Sequence, residues 1–208
     1  MRKAVPGGAV EASLPAALEP ELATLVERPQ SGDWIYEIKF DGYRMLTRVL
    51  GPKDVRIFTR NGNDWTARFK TLQAELIAAR LPPGWYDGEI VILDAEGKPN
   101  FNALQLAIEG KANAEIVYYL FDAPYMHGLD MRRVPVEMRR VRLQEVLNET
   151  ELLRFSKQLD GPADQLLASA CKMGLEGIIG KRRGSFWGPL VFSAITGESV
   201  RFGGVGGH

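Results

Sequence analysis

The chain has 208 residues, 45% hydrophobic and 25% charged, enough for one large domain or two small ones with a real core. Its 26 Lys and Arg balance 26 Asp and Glu, which excludes the global basic field of many nucleic-acid binders and confines any polyanion site to a local patch. A single cysteine excludes an internal disulfide and, with only two histidines, argues against structural zinc; no apolar run is long enough to span a membrane.

Residues 1–30, rich in Pro, Ala and Glu and interrupted by Pro15, Pro20 and Pro29, read as a lead-in that wraps a domain. Strand patterns follow at 34–38, 43–50 and 55–59, the last two joined by a hairpin link at 51–54. The spacing predicts a helix over 66–80, with Phe69, Leu72 and Leu76 on one face and Leu81-Pro82-Pro83-Gly84 as its stop. Strands are expected at 85–93, 116–121, 152–156 and 177–181. Helices are expected at 137–147 and at 163–173, the latter closed by Gly174. Strands outnumber helices and hairpin links dominate, which predicts an α+β domain with mostly antiparallel sheets.

The segment Glu37-Ile38-Lys39-Phe40-Asp41-Gly42-Tyr43-Arg44 places a lysine between acids at the end of a strand, then a glycine turn and an arginine. An amine so placed is a candidate nucleophile, provided its surroundings favour the neutral form over an ordinary pKa of about 10.4. Arg60, at the mouth of the turn Thr59-Arg60-Asn61-Gly62, can meet a phosphate with two parallel hydrogen bonds. Asp87 and Glu89, two apart on a strand, share a face, and burying two unpaired carboxylates is costly unless that face opens on a site or donors. Phe121, just before Asp122, can stack on a nucleobase. Glu176, with Glu89, offers the one or two carboxylates that Mg2+ takes beside phosphate oxygens and water, and Lys181 follows five positions on. Read singly, each of these also fits a structural role: a solvated turn arginine, a core aromatic, an edge strand with solvated acids.

Their order is more specific. Glu37-x-Lys39-x-Asp41-Gly42-x-Arg44, Thr59-Arg60-Asn61-Gly62, Asp87-Gly88-Glu89, Phe121-Asp122 and Glu176-Gly177-x-x-x-Lys181 resemble the motif series of the covalent nucleotidyltransferases. From about residue 13 to residue 187 the chain resembles the adenylation domain of ATP-dependent DNA ligases, especially the ligase module of bacterial end-joining ligases. Ala23-Thr24-Leu25, Asp64-Trp65 and Gly174-Leu175-Glu176-Gly177 add to the likeness.

The resemblance implies a nucleotidyltransferase fold over 31–187, with mostly antiparallel sheets, flanking helices and an ATP site between the sheets. It implies that Lys39 forms lysyl-AMP, that Glu37 recognises the adenine amino group, that Arg44 and Glu89 hold the ribose and that Phe121 stacks on the base. Arg60 would meet the 5′-phosphate of a nick, Glu89 and Glu176 would position Mg2+ or Mn2+, and Lys181 would approach a nucleotide phosphate. Asp41 and Asp87 would orient the lysine and its loop. The expected activity is a DNA ligase (ATP) sealing nicked or broken double-stranded DNA in repair and recombination. End-joining repair proteins would be its partners, and it would act in the cytoplasm at the nucleoid, with no membrane.

One departure qualifies this expectation. The family continues to a segment resembling Trp-Leu-Lys-x-Lys, whose lysines contact the α-phosphate. Here Ser185-Phe186-Trp187-Gly188-Pro189-Leu190 runs on to His208 without a lysine. Residues 188–208 read as an atypical, poorly ordered Gly-rich tail on an adenylation domain incomplete at that end, without the oligonucleotide-binding-fold domain that usually follows. The alternative is therefore an impaired remnant that binds nucleotide or DNA ends without sealing them. An RNA ligase or capping guanylyltransferase fits the flanking text less well.

Overall fold

The computed structural model describes residues 5–26, 28, 30–112 and 114–188 and the backbone of Phe192–Thr196. Eleven strands and four α-helices are assigned among them: β1 (Val10–Glu11), β2 (Thr24–Leu25), β3 (Trp34–Lys39), β4 (Tyr43–Gly51), β5 (Asp54–Thr59), β6 (Gly84–Val91), β7 (Val117–Met126), β8 (Leu129–Asp130), β9 (Leu153–Phe155), β10 (Gly177–Arg182), β11 (Phe192–Thr196), α1 (Lys70–Ala78), α2 (Phe101–Ile108), α3 (Val136–Val146) and α4 (Ala163–Lys172). A seven-stranded sheet runs β1-β8-β7-β6-β4-β5, with β9 added parallel to β7, and a four-stranded sheet runs β2-β11-β10-β3. Antiparallel pairs dominate both, as the α+β expectation required.

The alternation of β4 explains how the large sheet can carry both a core and a site. Met45 and Val49 point into the main core with Ile57, Ile90, Tyr118 and Leu120, under α1. Leu46 points the other way, where it meets Trp85, Tyr125 and the lead-in residues Ala12, Leu14 and Leu18. Two hydrogen bonds hold the lead-in there: Trp85 Nε1 donates to Pro15 O at 3.0 Å and Arg48 Nη1 to Ala16 O at 2.7 Å. The lead-in covers only part of this face; Arg44, opposite Glu89 in the β4–β6 register, stands where it is left open.

Several boundaries differ from the sequence reading. The 66–80 helix is divided into a 3-10 turn at Thr66–Arg68 and α1, because Phe69 leaves helical geometry at φ −118° and ψ 50°. Helix α2 went unread; its signal is the N-cap Asn100, whose side chain accepts from Ala103 N at 3.0 Å. Strand β7 does not stop at Phe121 but runs to Met126. Its pairing with β6 steps from Gly88↔Leu120 to Asp87↔Asp122, so Phe121 is the extra residue of a β-bulge. Of the tail expected to be poorly ordered, Phe192–Thr196 instead form β11 against β10, a hairpin register in which Ala194 lies opposite Ile179; the rest of that expectation, beyond Gly188, falls outside the described residues.

Candidate active site

A cleft of about 830 Å3 opens between the two sheets. β3 and β10 form one wall, β4, β6 and β7 the other, and residues 21–25 and 59–65 lie at its edges. On β3, Glu37 and Lys39 alternate onto the cleft side; antiparallel pairing brings Gly177 opposite Lys39 and Ile179 opposite Glu37. The bulge in β7 turns both Phe121 and Asp122 toward the cleft, which a regular strand would not do.

At one end Lys39 Nζ is hydrogen-bonded and ion-paired to Glu176 Oε1, across 137 residues of sequence. Burial lowers the pKa of Lys39, while Glu89 and Asp41 pull it back up. Asp41 is exposed and acts on the lysine through charge, consistent with an orienting role and no more. Gly42 is not a turn glycine. A Cβ there would stand 2.1 Å from Ile90 O, so the residue lets the chain entering β4 pass tightly against β6. Gly88 serves the same end, since a Cβ would meet Tyr119 O at 2.4 Å.

In the middle, Arg44 forks onto Asp87, Nε to Oδ1 at 2.5 Å and Nη2 to Oδ2 at 2.6 Å, and also donates to Glu21 O at 3.2 Å. Burial works against the guanidinium charge, but Asp87, Glu89 and Glu21 more than offset it and keep Arg44 protonated. The pair satisfies the cost that made Asp87 suspicious in the sequence: its donor set is Arg44. Glu89 is different. Burial, assisted by Asp87 and Asp41, pushes its carboxyl up to about 7 against the pull of Arg44 and Lys39. Glu21 is pushed up to about 8 by burial and Asp122, against Arg139 and the N–H of Gly188. Its Oε2 has no hydrogen-bond partner among the described residues, with Arg139 Nη2 3.9 Å away.

At the far end Glu37 Oε1 lies 2.6 Å from Lys181 Nζ and 2.8 Å from Arg140 Nη1, all three side chains buried. Lys181 also reaches Phe121 O at 3.4 Å and sits 4.5 Å from the centre of its ring. The β10 register places Lys181 opposite Ile35, so it serves the Glu37–Phe121 end of the cleft, away from Lys39. That differs from the approach to a nucleotide phosphate expected of it. The expectation followed motif order, whereas position along an antiparallel strand decides which end a residue reaches. The Phe121 ring also lies 4.5 Å from the Arg44 guanidinium, with Ile179 on the opposite wall.

Arg60 is exposed at the rim, and no hydrogen bond or ion pair holds it among the described residues; Gly62, at φ 79°, completes the turn that presents it. No group of three or more Asp, Glu, His or Cys among the described residues is arranged to enclose a metal ion. Glu89, which acts on Lys39 through charge, and Glu176, which is paired with it, both line the cleft and are the kind of carboxylates a hard divalent ion takes beside phosphate oxygens and water. The sequence reading missed Glu21 and Ile179 in the cleft lining, gave Asp122 no role beyond its place beside Phe121, and missed Arg139 and Arg140 packed behind the walls. For the two arginines a signal existed: they fill the i+3 and i+4 positions after Val136 and precede Leu143, the stripe of α3 that faces inward.

A family model described as the ATP-dependent DNA ligase domain matches residues 15–191. The chain belongs to this family. The multifunctional non-homologous end joining protein LigD of Pseudomonas aeruginosa is 50% identical over 174 residues, covering 83% of this chain and 21% of that protein. The crystal structure of the ligase domain from Mycobacterium tuberculosis LigD superposes with a TM-score of 0.72 at 30% identity, covering 86% of this chain and 59% of that one. A mycobacterial DNA ligase D complexed with ATP and MES gives 0.69 at 28% identity, covering 86% and 60%. The chain spans about a fifth of the length of the end-joining LigD proteins it matches. No helix among the described residues is long and apolar enough to cross a membrane.

Proposed function

We propose that this ligase domain adenylylates itself on Lys39 and passes the AMP to DNA ends. The observation that carries the proposal is the convergence on one cleft of Lys39, its partner Glu176, Glu37 and the bulged Phe121. Adenine lies between Phe121 and Ile179, its exocyclic amino group donating to Glu37. Arg44 and Glu89 hold the ribose. Lys39, losing its proton, attacks the α-phosphorus; an N–P bond forms as the bond to pyrophosphate breaks. A 5′-phosphate oxygen, held by Arg60, then takes the AMP from Lys39, and a 3′-hydroxyl attacks the activated phosphorus and expels AMP. Glu89 and Glu176 would hold Mg2+ or Mn2+, which when bound supplies charge neutralisation at the phosphates. The substrate is nicked or broken double-stranded DNA in repair and recombination, with end-joining proteins as partners, in the cytoplasm at the nucleoid.

Incubation with α-labelled ATP and Mg2+ followed by denaturation tests the first step. Label is expected on the chain, absent in Lys39→Ala and absent with a chelator. An unlabelled parent protein would overturn the proposal, and a nicked duplex carrying a 5′-phosphate tests the later steps.

A further inference from the structure

One buried charge at the Glu37 end of the cleft takes no part in the steps above. Arg140 is 4% exposed and lies on α3, outside both sheets, yet its guanidinium reaches three places at once. Nη1 lies 2.8 Å from Glu37 Oε1 on β3 and donates to Phe121 O at 3.0 Å on β7. Nη2 donates to Ser156 O at 2.7 Å, and the group lies 4.7 Å from the centre of the Phe155 ring. We infer that Arg140 is a positioning residue for base selection: it ties the carboxylate on one wall to the bulged strand on the other, and so sets the gap between Glu37 and Phe121. The inference rests on the proposed roles of those two residues as base contacts.

The physical ground is the rigid planar fork of arginine. A guanidinium fixes several acceptors relative to one another, which the single head of a lysine cannot do. Lys181 also approaches Glu37 Oε1, but on a flexible stem, and it comes from the same small sheet as Glu37. It reaches Phe121 O as well, at 3.4 Å, but a single ammonium on that stem does not hold the two acceptors at a fixed spacing. Arg139, the next residue back, is the natural comparison. It is equally buried but spends its fork on Asp122, at 2.8 and 2.7 Å, and on Val134 O at 2.8 Å. A fixed carboxylate accepts the 6-amino group of adenine and opposes the 6-oxo group of guanine. A carboxylate free to turn loses that discrimination, because sites reject analogues strongly only when their buried polar groups cannot adjust.

The test measures selectivity between ATP and GTP, by Lys39 labelling and by calorimetric binding, in the parent, Arg140→Ala, Arg140→Lys and Arg139→Ala. Arg140→Ala is expected to raise the ATP concentration for half-maximal labelling and to narrow the ATP-to-GTP ratio by about tenfold or more. Arg140→Lys should fall between, and it carries the test if the alanine variant fails to fold. Arg139→Ala should lower the melting temperature and keep the ratio. A ratio within about twofold of the parent in a folded Arg140 variant would overturn the inference, as would equal narrowing in Arg139→Ala. If the parent binds ATP selectively through Arg140 yet never labels, the ligase chemistry fails and this inference stands. If it binds neither nucleotide, both fall.

Discussion

Replacing Glu21 by glutamine should reverse part of the alkaline loss of stability of this domain. Glu21 is 4% exposed, its Oε1 accepts from Gly188 N, and its Oε2 lacks a hydrogen-bond partner among the described residues. Burial and Asp122 raise its carboxyl from an ordinary 4.5 to about 8. A carboxyl whose pKa is higher folded than unfolded contributes its full stability below the unfolded value, and loses it as pH rises through the folded one. Each unit of difference is worth about 1.4 kcal/mol, so between pH 5 and pH 8 ionisation of this group costs the folded state about 3 kcal/mol. Glutamine keeps an oxygen for Gly188 N and cannot ionise. Urea denaturation at pH 5 and pH 8 measures the difference. The variant should match the parent to within about 1 kcal/mol at pH 5 and exceed it by roughly 2–3 kcal/mol at pH 8, a gain of order 5 °C in melting temperature. Equal stability at pH 8, or a variant that is less stable there, would show that Arg139 at 3.9 Å already compensates the ionised carboxylate and would refute the reasoning.

Four other outcomes follow from the same geometry. Gly42→Ala forces a Cβ against Ile90 O and should destabilise by about 2–3 kcal/mol, read as a lower urea midpoint at unchanged slope. Arg60→Ala, at an exposed rim position, should leave Lys39 labelling within about twofold while nick sealing falls by about tenfold or more, measured on a nicked duplex. Single-turnover labelling should rise with pH to an inflection below the ordinary lysine value, because burial lowers Lys39. Glu176→Gln, removing the anion paired with the amine, should shift that inflection further down while the plateau rate falls.

How much of this was legible in the sequence divides along a physical line. The strands and the ordered motifs were readable because period-two alternation and local turn chemistry are encoded over a few residues. Lys39, Glu37, Arg44, Glu89, Phe121 and Glu176 all line one cleft, as their motif order suggested. Partnerships across the fold were not readable. That Asp87 belongs to Arg44 depends on the β4–β6 register, and that Lys181 stands by Glu37 depends on the β3–β10 register. The bulge that turns Phe121 and Asp122 to the same side is a one-residue slip with no local signature beyond the strand that seemed to end there. Arg139 and Arg140 went unremarked, although their placement in the inward stripe of α3 was a clue.

The charge balance of the cleft bears on why ATP would need a cation of its own. Glu21, Glu37, Asp87, Glu89, Asp122 and Glu176 line it against Lys39, Arg44, Arg60 and Lys181, and the balance is made up only by Arg139 and Arg140, which are spent behind the walls on Asp122 and Glu37. Three of the four cations are already committed: Arg44 to Asp87, Lys181 to Glu37 and Lys39 to Glu176. Only Arg60 stands unpaired among the described lining residues, at the rim, and Phe192–Thr196 of β11 add no Lys or Arg. Burial is the main cause of the raised carboxyls of Glu21 and Glu89, and their acidic neighbours Asp122 and Asp87 add to it. A triphosphate brings still more negative charge to a site that cannot neutralise it alone, and Lys39 cannot attack while it is held by Glu176. Both problems have one electrostatic solution. The divalent cation proposed for Glu89 and Glu176 would answer both, since Glu176 drawn toward such an ion would release Lys39 in a buried setting that already favours the neutral amine.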